Sequence, residues 1–307
     1  MIHLISLNPA LDLFFDLEKP SFGKIGKVVR SRVEPGGKAL NVARFLKKFK
    51  VPSSVWLGAG GGSHPTHVLY RALLAEEKLK VFFLSRKTPI RLNLVTQTRQ
   101  ESRKYNHPGF ETDFTDFPRL YSKVQEKDWL VLTGRLPQGA DELLYASWIE
   151  SFQRQGVKTI IDTSGKPLAY ALKAKPWFFK SNLFEMSEAL GQGVATLKQA
   201  QSLVRKNWLK SSFRHGALTD GFAGAIVWKD QEAYLVQPPK VASGLVVGAG
   251  DGFLAGYLYG LRSGKSFKES AVLAGAFGAS VASSGIQGFN PDEVSRFYKR
   301  VKVRRVL

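Results

Sequence analysis

Short apolar runs alternating with helical stretches constrain this chain more than any other feature. Residues 3–7, 54–57, 81–84, 129–133, 159–163, 177–180 and 214–219 read as strands, with helical segments at about 39–49, 67–77, 141–155, 166–173, 185–191 and 196–210. A helix between two strands brings the chain back to the same end of the sheet, so such strands run parallel and both faces are covered. The expected class is α/β with a mostly parallel central sheet. Residues 223–228 and 232–237 look like a late antiparallel pair, while 27–33 and the hairpin-like stretch 88–106 form a small sheet apart from the core. No repeat or low-complexity linker breaks the pattern. One domain over residues 1–307 is expected, its small sheet drawn from about 13–34 and 88–107.

Function classes narrow next. With no cysteine, disulfides and thiolate metal sites are excluded. The N-terminus lacks a basic head and soon meets Asp12 and Asp16, which does not read as a secretion signal, and the apolar run from Ala271 to Ile286 is short and rich in Ser and Gly. A cytoplasmic protein with no membrane partner is expected. Net charge is +20, from 45 Lys and Arg against 25 Asp and Glu. The cations are spread apart from Lys47-Lys48-Lys50 and the tail from Lys299 to Arg305, with no recognisable nucleic-acid motif, so a surface that attracts anionic metabolites, or one that merely keeps the protein in solution, is the preferred reading.

Ligands of open parallel sheets gather at the carboxyl ends of the strands. The stretch to test first is Gly248-Ala249-Gly250-Asp251, where an apolar segment turns through glycines into a helix carrying Phe253, Leu254, Tyr257, Leu258 and Leu261 at helical spacing. A helix opening offers unpaired N–H groups and partial positive charge, and glycines let a phosphate approach closely. Asp251 in the first turn can take a proton. Phosphoryl transfer to an alcohol needs both parts, donors for the developing phosphate charge and a group that holds the hydroxyl in line.

Other apparatus fails inspection. Gly260 to Ser266 has three residues, not four, between Gly260 and Gly264, and it follows a helix, so it is no P-loop. No dinucleotide fingerprint follows the first strand, no Gly-x-Ser-x-Gly elbow exists, and only His64 and His67 of the five histidines are close.

Val247-Gly248-Ala249-Gly250-Asp251 and Pro35-Gly36-Gly37-Lys38-Ala39-Leu40-Asn41-Val42-Ala43-Arg44 resemble the two signatures of the phosphofructokinase B branch of the ribokinase-like carbohydrate kinase family, about 200 residues apart. Leu7-Asn8-Pro9-Ala10-Leu11-Asp12, Arg91-Leu92-Asn93, Asn106 with Gly109, Thr133 to Gly139, Asp162-Thr163-Ser164, Lys180 to Glu185 and Thr219 to Gly224 follow that family's blocks in order. The opening is similar to its hexose-phosphate kinases, the group of 1-phosphofructokinase, tagatose-6-phosphate kinase and the minor 6-phosphofructokinase. The resemblance implies a three-layer fold whose small sheet is a lid and a dimer clasp.

It also implies roles. Asp251 matches the catalytic base, and Gly248, Ala249 and Gly250 the anion hole. Asp12, Gly36, Gly37 and Asn41 match sugar-binding positions. Arg91, Lys38, and Lys24 or Lys27 are candidates for the sugar's existing phosphate, with Asn106 and Arg135 also on the substrate side. Asn182 and Glu185 match the block that organises Mg2+ through water; Lys180, Asn182, Thr219, Gly221 and Gly224 match nucleotide contacts, and Ala276, Ser280 and Ser284 resemble the adenine wall.

The chain departs from the family pattern at Ala39, Arg135, Ser181, Val246 and Gly252. Arg135 stands where a small serine usually faces the sugar, and it either blocks a substrate or supplies another phosphate ligand. The expected activity is ATP- and magnesium-dependent phosphorylation of a hexose phosphate, fructose 1-phosphate first. Tagatose 6-phosphate, fructose 6-phosphate, or a non-catalytic sugar-phosphate or nucleic-acid binder are the alternatives.

Overall fold

A computed structural model describes residues 1–18, 26–85, 87–98, 102–208, 213–241 and 247–307. Its elements begin with β1 (Ile2–Ser6), β2 (Ala10–Leu17), β3 (Val28–Gly36), α1 (Lys38–Lys48), β4 (Ser53–Leu57), α2 (Pro65–Glu77) and β5 (Val81–Phe83). There follow β6 (Arg91–Gln97), β7 (Ser102–Asn106), α3 (Phe117–Lys123), β8 (Trp129–Thr133), α4 (Leu144–Gln153), β9 (Lys158–Asp162), α5 (Gly165–Lys173) and β10 (Phe178–Asn182). Then come α6 (Leu183–Leu190), α7 (Leu197–Leu203), β11 (His215–Asp220), β12 (Gly224–Lys229), β13 (Glu232–Gln237), α8 (Ala249–Arg262), α9 (Phe267–Gly288), α10 (Pro291–Tyr298) and β14 (Lys302–Arg305).

Side-chain alternation along β1 sorts the interior into two layers. Ile2 and Leu4 join one core with α1, α2, α8, α9 and α10, whereas Ile5 and Leu7 join another with α3 to α7. Between them lies a ten-stranded sheet in the order β14-β13-β12-β11-β10-β9-β8-β1-β4-β5, parallel from β11 to β5. This is the expected three-layer α/β class. Helices α8 and α9 pack backbone to backbone: a Cβ on Gly256 would meet the Leu273 carbonyl oxygen at 2.6 Å and the Phe277 side chain at 2.7 Å.

Two strands differ from the sequence reading. The stretch from Leu13 to Val33 shows only an exposed strand near its end, yet β2 spans Ala10–Leu17, because Phe14 and Phe15 make both of its faces apolar and hide the alternation. The basic tail is read as charged surface, yet Lys302–Arg305 pairs antiparallel with β13, an edge protected by its own cations.

The second sheet, in the order β3-β2-β6-β7, has two chemically distinct faces. Register places Val33, Leu13, Leu94 and Tyr105 in one row, and Glu34, Asp12, Asn93 and Asn106 in the next. The polar row belongs to the face that lines a cavity; Leu92 and Tyr105, on the other face, are exposed.

Candidate active site

The carboxyl ends of β1, β8, β10 and β11 face the polar side of the small sheet across a cavity of about 810 Å³. Its wall includes Asp12, Gly36, Gly37, Lys38, Asn41, Arg91, Asn106 and Arg135. It also includes Lys180, Asn182, Glu185, Thr219, Gly221 and Gly224, and Gly248 to Asp251. Stretches scattered over 240 residues of sequence are thus brought to one place.

Gly248 caps α8 in the left-handed region, at φ 84°, and Asp251 follows in the first turn. Among the described residues, the first amide of this turn with a backbone acceptor is that of Gly252, which donates to the Gly248 carbonyl at 2.8 Å. The amides of Ala249 and Gly250 precede it and have no acceptor among the described residues, as first-turn amides of a helix commonly do. Asp251 is 6% exposed and lines the cavity. Asn41 Nδ2 donates to its Oδ2 at 2.8 Å. Burial pushes the Asp251 carboxyl above its ordinary range, opposed by the charge of Lys38, reinforced by Asp162, and opposed again by the Asn41 bond and Lys180.

Asn41 is itself oriented. Arg44 donates from Nη1 to Asn41 Oδ1 at 2.9 Å, and its other nitrogens reach Glu77 and the Pro35 carbonyl. On the small sheet Asn93 Nδ2 donates to Asp12 Oδ1 at 2.7 Å, leaving Oδ2 of Asp12 beside Gly36. A Cβ on Gly36 would lie 2.3 Å from that oxygen, so glycine is what lets the carboxylate stand there. Arg91 donates to the carbonyls of Asn8 and His107, and Asn8 donates to those of Pro108 and Leu136. These bonds knit the return from β7 to the loop carrying Arg135. Burial lowers the Arg91 guanidinium from its ordinary value, Asp12 opposing and Arg135 adding to the effect. Arg135 itself is exposed to the cavity and makes no hydrogen bond or ion pair among the described residues.

Deeper in the site, Lys38 Nζ donates to Asp162 Oδ1 at 3.0 Å and Lys180 Nζ to Asp162 Oδ2 at 3.2 Å. The Asp162 carboxyl is held below its ordinary range: burial opposes this, and Lys180 and Lys38 outweigh it. The Lys38 ammonium is raised, burial being outweighed by Asp162, Asp251 and Glu185.

At the carboxyl end of β10 Asn182 and Glu185 close a capping box on α6, Asn182 Oδ1 accepting from the Glu185 amide at 2.7 Å and Glu185 Oε2 from the Asn182 amide at 3.0 Å. Both still line the cavity. The adenine-wall residues need correction. Ser280 and Ser284 donate to Glu293 on α10, at 2.6 and 2.9 Å, and Ala276 is buried in the core. The face of α9 that lines the cavity is Gly275, Gly278, Ala279 and Ala282, a face one helical step round. Lys27 is exposed, pairs with Glu18 at 3.5 Å and lies outside the cavity wall. Lys24 and Val246 lie outside the described residues.

Asn8, Arg44, Asn93 and Asp162 stand inside the quoted family blocks, but the sequence reading gave them no role. Asp162 left a signal: a lone acid ending the apolar run Thr159-Ile160-Ile161 at the carboxyl end of a buried strand. For Asn93 the block Arg91-Leu92-Asn93 marked the place, but its partner shows only once β2 and β6 are paired, which sets it opposite Asp12.

Residues 6–292 match the family described as pfkB family carbohydrate kinase. A 1-phosphofructokinase of Bacillus subtilis is 28% identical over 309 residues, covering 100% of both chains. A tagatose-6-phosphate kinase of Staphylococcus epidermidis is 27% identical, again over 100% of both. Among solved structures, phosphofructokinase-2 of Escherichia coli in complex with substrates and products shares the fold, with a TM-score of 0.88 at 23% identity over 97% of this chain and 98% of that one.

Proposed function

Because the chain belongs to the pfkB family of carbohydrate kinases, we propose that it transfers the γ-phosphoryl group of ATP to a hydroxyl of a hexose phosphate, turning fructose 1-phosphate into fructose 1,6-bisphosphate. The observation that carries this reading is the Asp251 carboxylate, held by Asn41 at the cavity wall beside the amides of Ala249 and Gly250, which have no acceptor among the described residues.

The chemistry follows from those groups. As the acceptor oxygen bonds to the γ-phosphorus, the bond to the bridging oxygen breaks and ADP leaves with the electron pair. Asp251 takes the hydroxyl proton, which need leave only late in a loose transition state. Charge developing on the phosphoryl oxygens meets the first-turn amides and the Lys180 ammonium. Asp12 accepts from sugar hydroxyls through the oxygen that Asn93 leaves open. Arg91, Arg135 and Lys38 present cations to the phosphate the acceptor already carries.

Asn182 and Glu185 fit magnesium in chemistry and number. They offer hard oxygens on the cavity wall, the cap engaging Glu185 Oε2 and leaving Oε1, while Asn182 Oδ1 keeps a second lone pair after accepting the Glu185 amide, and contact through water suits an ion that keeps its hydration shell and takes substrate phosphates. When bound, magnesium would neutralise the charge of the donor phosphates. The exposed apolar face of the small sheet, with Val33, Leu92 and Tyr105, supports a homodimer joined through that sheet. No helix among the described residues is long and apolar enough to cross a membrane.

The test is coupled ADP release over fructose 1-phosphate, tagatose 6-phosphate, fructose 6-phosphate and unphosphorylated fructose, with magnesium ATP. Highest kcat/KM on fructose 1-phosphate is expected. Silence on every sugar phosphate would end the reading.

A further inference from the structure

Beneath the cavity lies a carboxylate that substrates do not reach. Asp162 is fully buried and forms no part of the cavity wall, yet its two oxygens are taken by two cations that do. These lysines come from opposite sides of the cleft. Lys38 opens α1 next to Gly37 on the acceptor side, and Lys180 stands on β10 two residues before Asn182 on the donor side. The Lys180 ammonium comes within 3.3 Å of the place a Cβ on Gly250 would occupy, so it lies against the anion cradle.

Two ammoniums and two carboxylates gathered at one largely buried site have more than one way to pair, and the pairing matters because charges there are screened less than at the surface. A lysine closing on Asp251 would occupy the lone pairs that must accept the hydroxyl proton. The structure shows the other pairing: Asp162 takes both lysines, and the side-chain donor on Asp251 is Asn41.

We propose that Asp162 is a positioning residue that holds Lys38 and Lys180 away from Asp251, keeping the base open to the acceptor hydroxyl while each ammonium faces a substrate phosphate. This rests on the kinase reading above. Because one carboxylate serves both lysines, it also ties the acceptor side of the cleft to the donor side.

Asp162→Asn keeps the shape and removes the charge. In the coupled assay on the full chain, with fructose 1-phosphate and magnesium ATP, kcat is expected to fall about 100-fold, the scale of a compromised base, with both KM values raised. Circular dichroism and the thermal midpoint check folding. The decisive readout is recovery on removing a released lysine. Asp162→Asn with Lys38→Met is expected to be at least about tenfold faster in kcat, at saturating acceptor, than Asp162→Asn alone, since a mispaired base is freed. A double variant no faster than the single one overturns the assignment, as does Asp162→Asn within about twofold of the wild type. Should Asp162→Asn not fold, Lys38→Met and Lys180→Met in the otherwise intact chain decide. Lysines sharing one carboxylate give non-additive losses in kcat/KM, and strict additivity overturns the proposal. Wild-type protein inactive on every sugar phosphate removes the kinase reading and this assignment with it; active wild-type protein without recovery removes the assignment alone.

Discussion

Asn41 Nδ2 donates to Asp251 Oδ2 at 2.8 Å, and the direction of that amide is fixed from behind, since Arg44 Nη1 donates to Asn41 Oδ1 at 2.9 Å. A hydrogen bond to a carboxylate favours its ionised form. Burial already lifts the Asp251 carboxyl, and the Asn41 bond is among the forces that oppose it. Asn41→Ala is therefore expected to lift Asp251 further. The acidic limb of the kcat profile then moves to higher pH, with acceptor KM raised as well, because Asn41 lines the cavity. A profile measured from pH 5 to 9 with its acidic limb unmoved would show that the bond has no hold on the base.

Asp251→Asn separates activity from stability. Turnover is expected to fall by about 10³-fold or more, on the scale of a general base removed. Stability changes in the other direction. A carboxyl raised in the folded state binds its proton more tightly there than in the unfolded chain, so folding loses stability as pH rises through the window between the two values. The asparagine variant escapes that loss. Its thermal midpoint is expected above the wild type at pH 8, with the gap closing as pH falls and Asp251 becomes protonated. A midpoint below the wild type at pH 8 would contradict the sign.

How far the sequence foretold this site depended on what each residue needed from its neighbours. Gly248 to Asp251 was legible as part of the cavity wall because the feature is local: one turn of chain carries the amides, the glycines and the acid. Ser280 and Ser284 were misplaced because helix periodicity leaves the rotation of α9 open, and Glu293 on α10 captures both hydroxyls. The Asp12 and Asn93 pair was invisible, since it exists only once β2 and β6 lie side by side in register. Asp162 was visible as a residue and unreadable as a role, because its two partners come from α1 and β10. Strand β2 was lost where aromatic residues on both faces erased the period of two.

Glu185 has two duties that one substitution can part. Its Oε2 closes the capping box on Asn182, and its remaining oxygen stands at the cavity wall. Glutamine serves a capping box about as well as glutamate, since its carbonyl oxygen accepts the same amide. Glu185→Gln is thus expected to keep the thermal midpoint close to the wild type while raising the magnesium needed for half-maximal rate by about tenfold, the scale of losing one supporting oxygen. Equal magnesium dependence in the two proteins would leave Glu185 with the cap alone.

Arg135 is the cavity residue on which the choice of acceptor is expected to turn. It is exposed at the cavity wall beside Arg91, and two guanidiniums facing one space repel unless an anion sits between them. Arg91 is already engaged by the carbonyls of Asn8 and His107, which leaves Arg135 as the more adaptable of the two. Its fork matches phosphate geometry, and a charged hydrogen bond lost here corresponds to about 1.5 to 3 kcal/mol. Arg135→Ser is therefore expected to raise KM for fructose 1-phosphate by about 10- to 100-fold, leaving kcat and the KM for ATP near their wild-type values. Inorganic phosphate competing with the acceptor should weaken by a similar factor. A serine variant that binds the sugar phosphate more tightly would instead mark Arg135 as an obstruction, turning the site toward a smaller or differently charged acceptor.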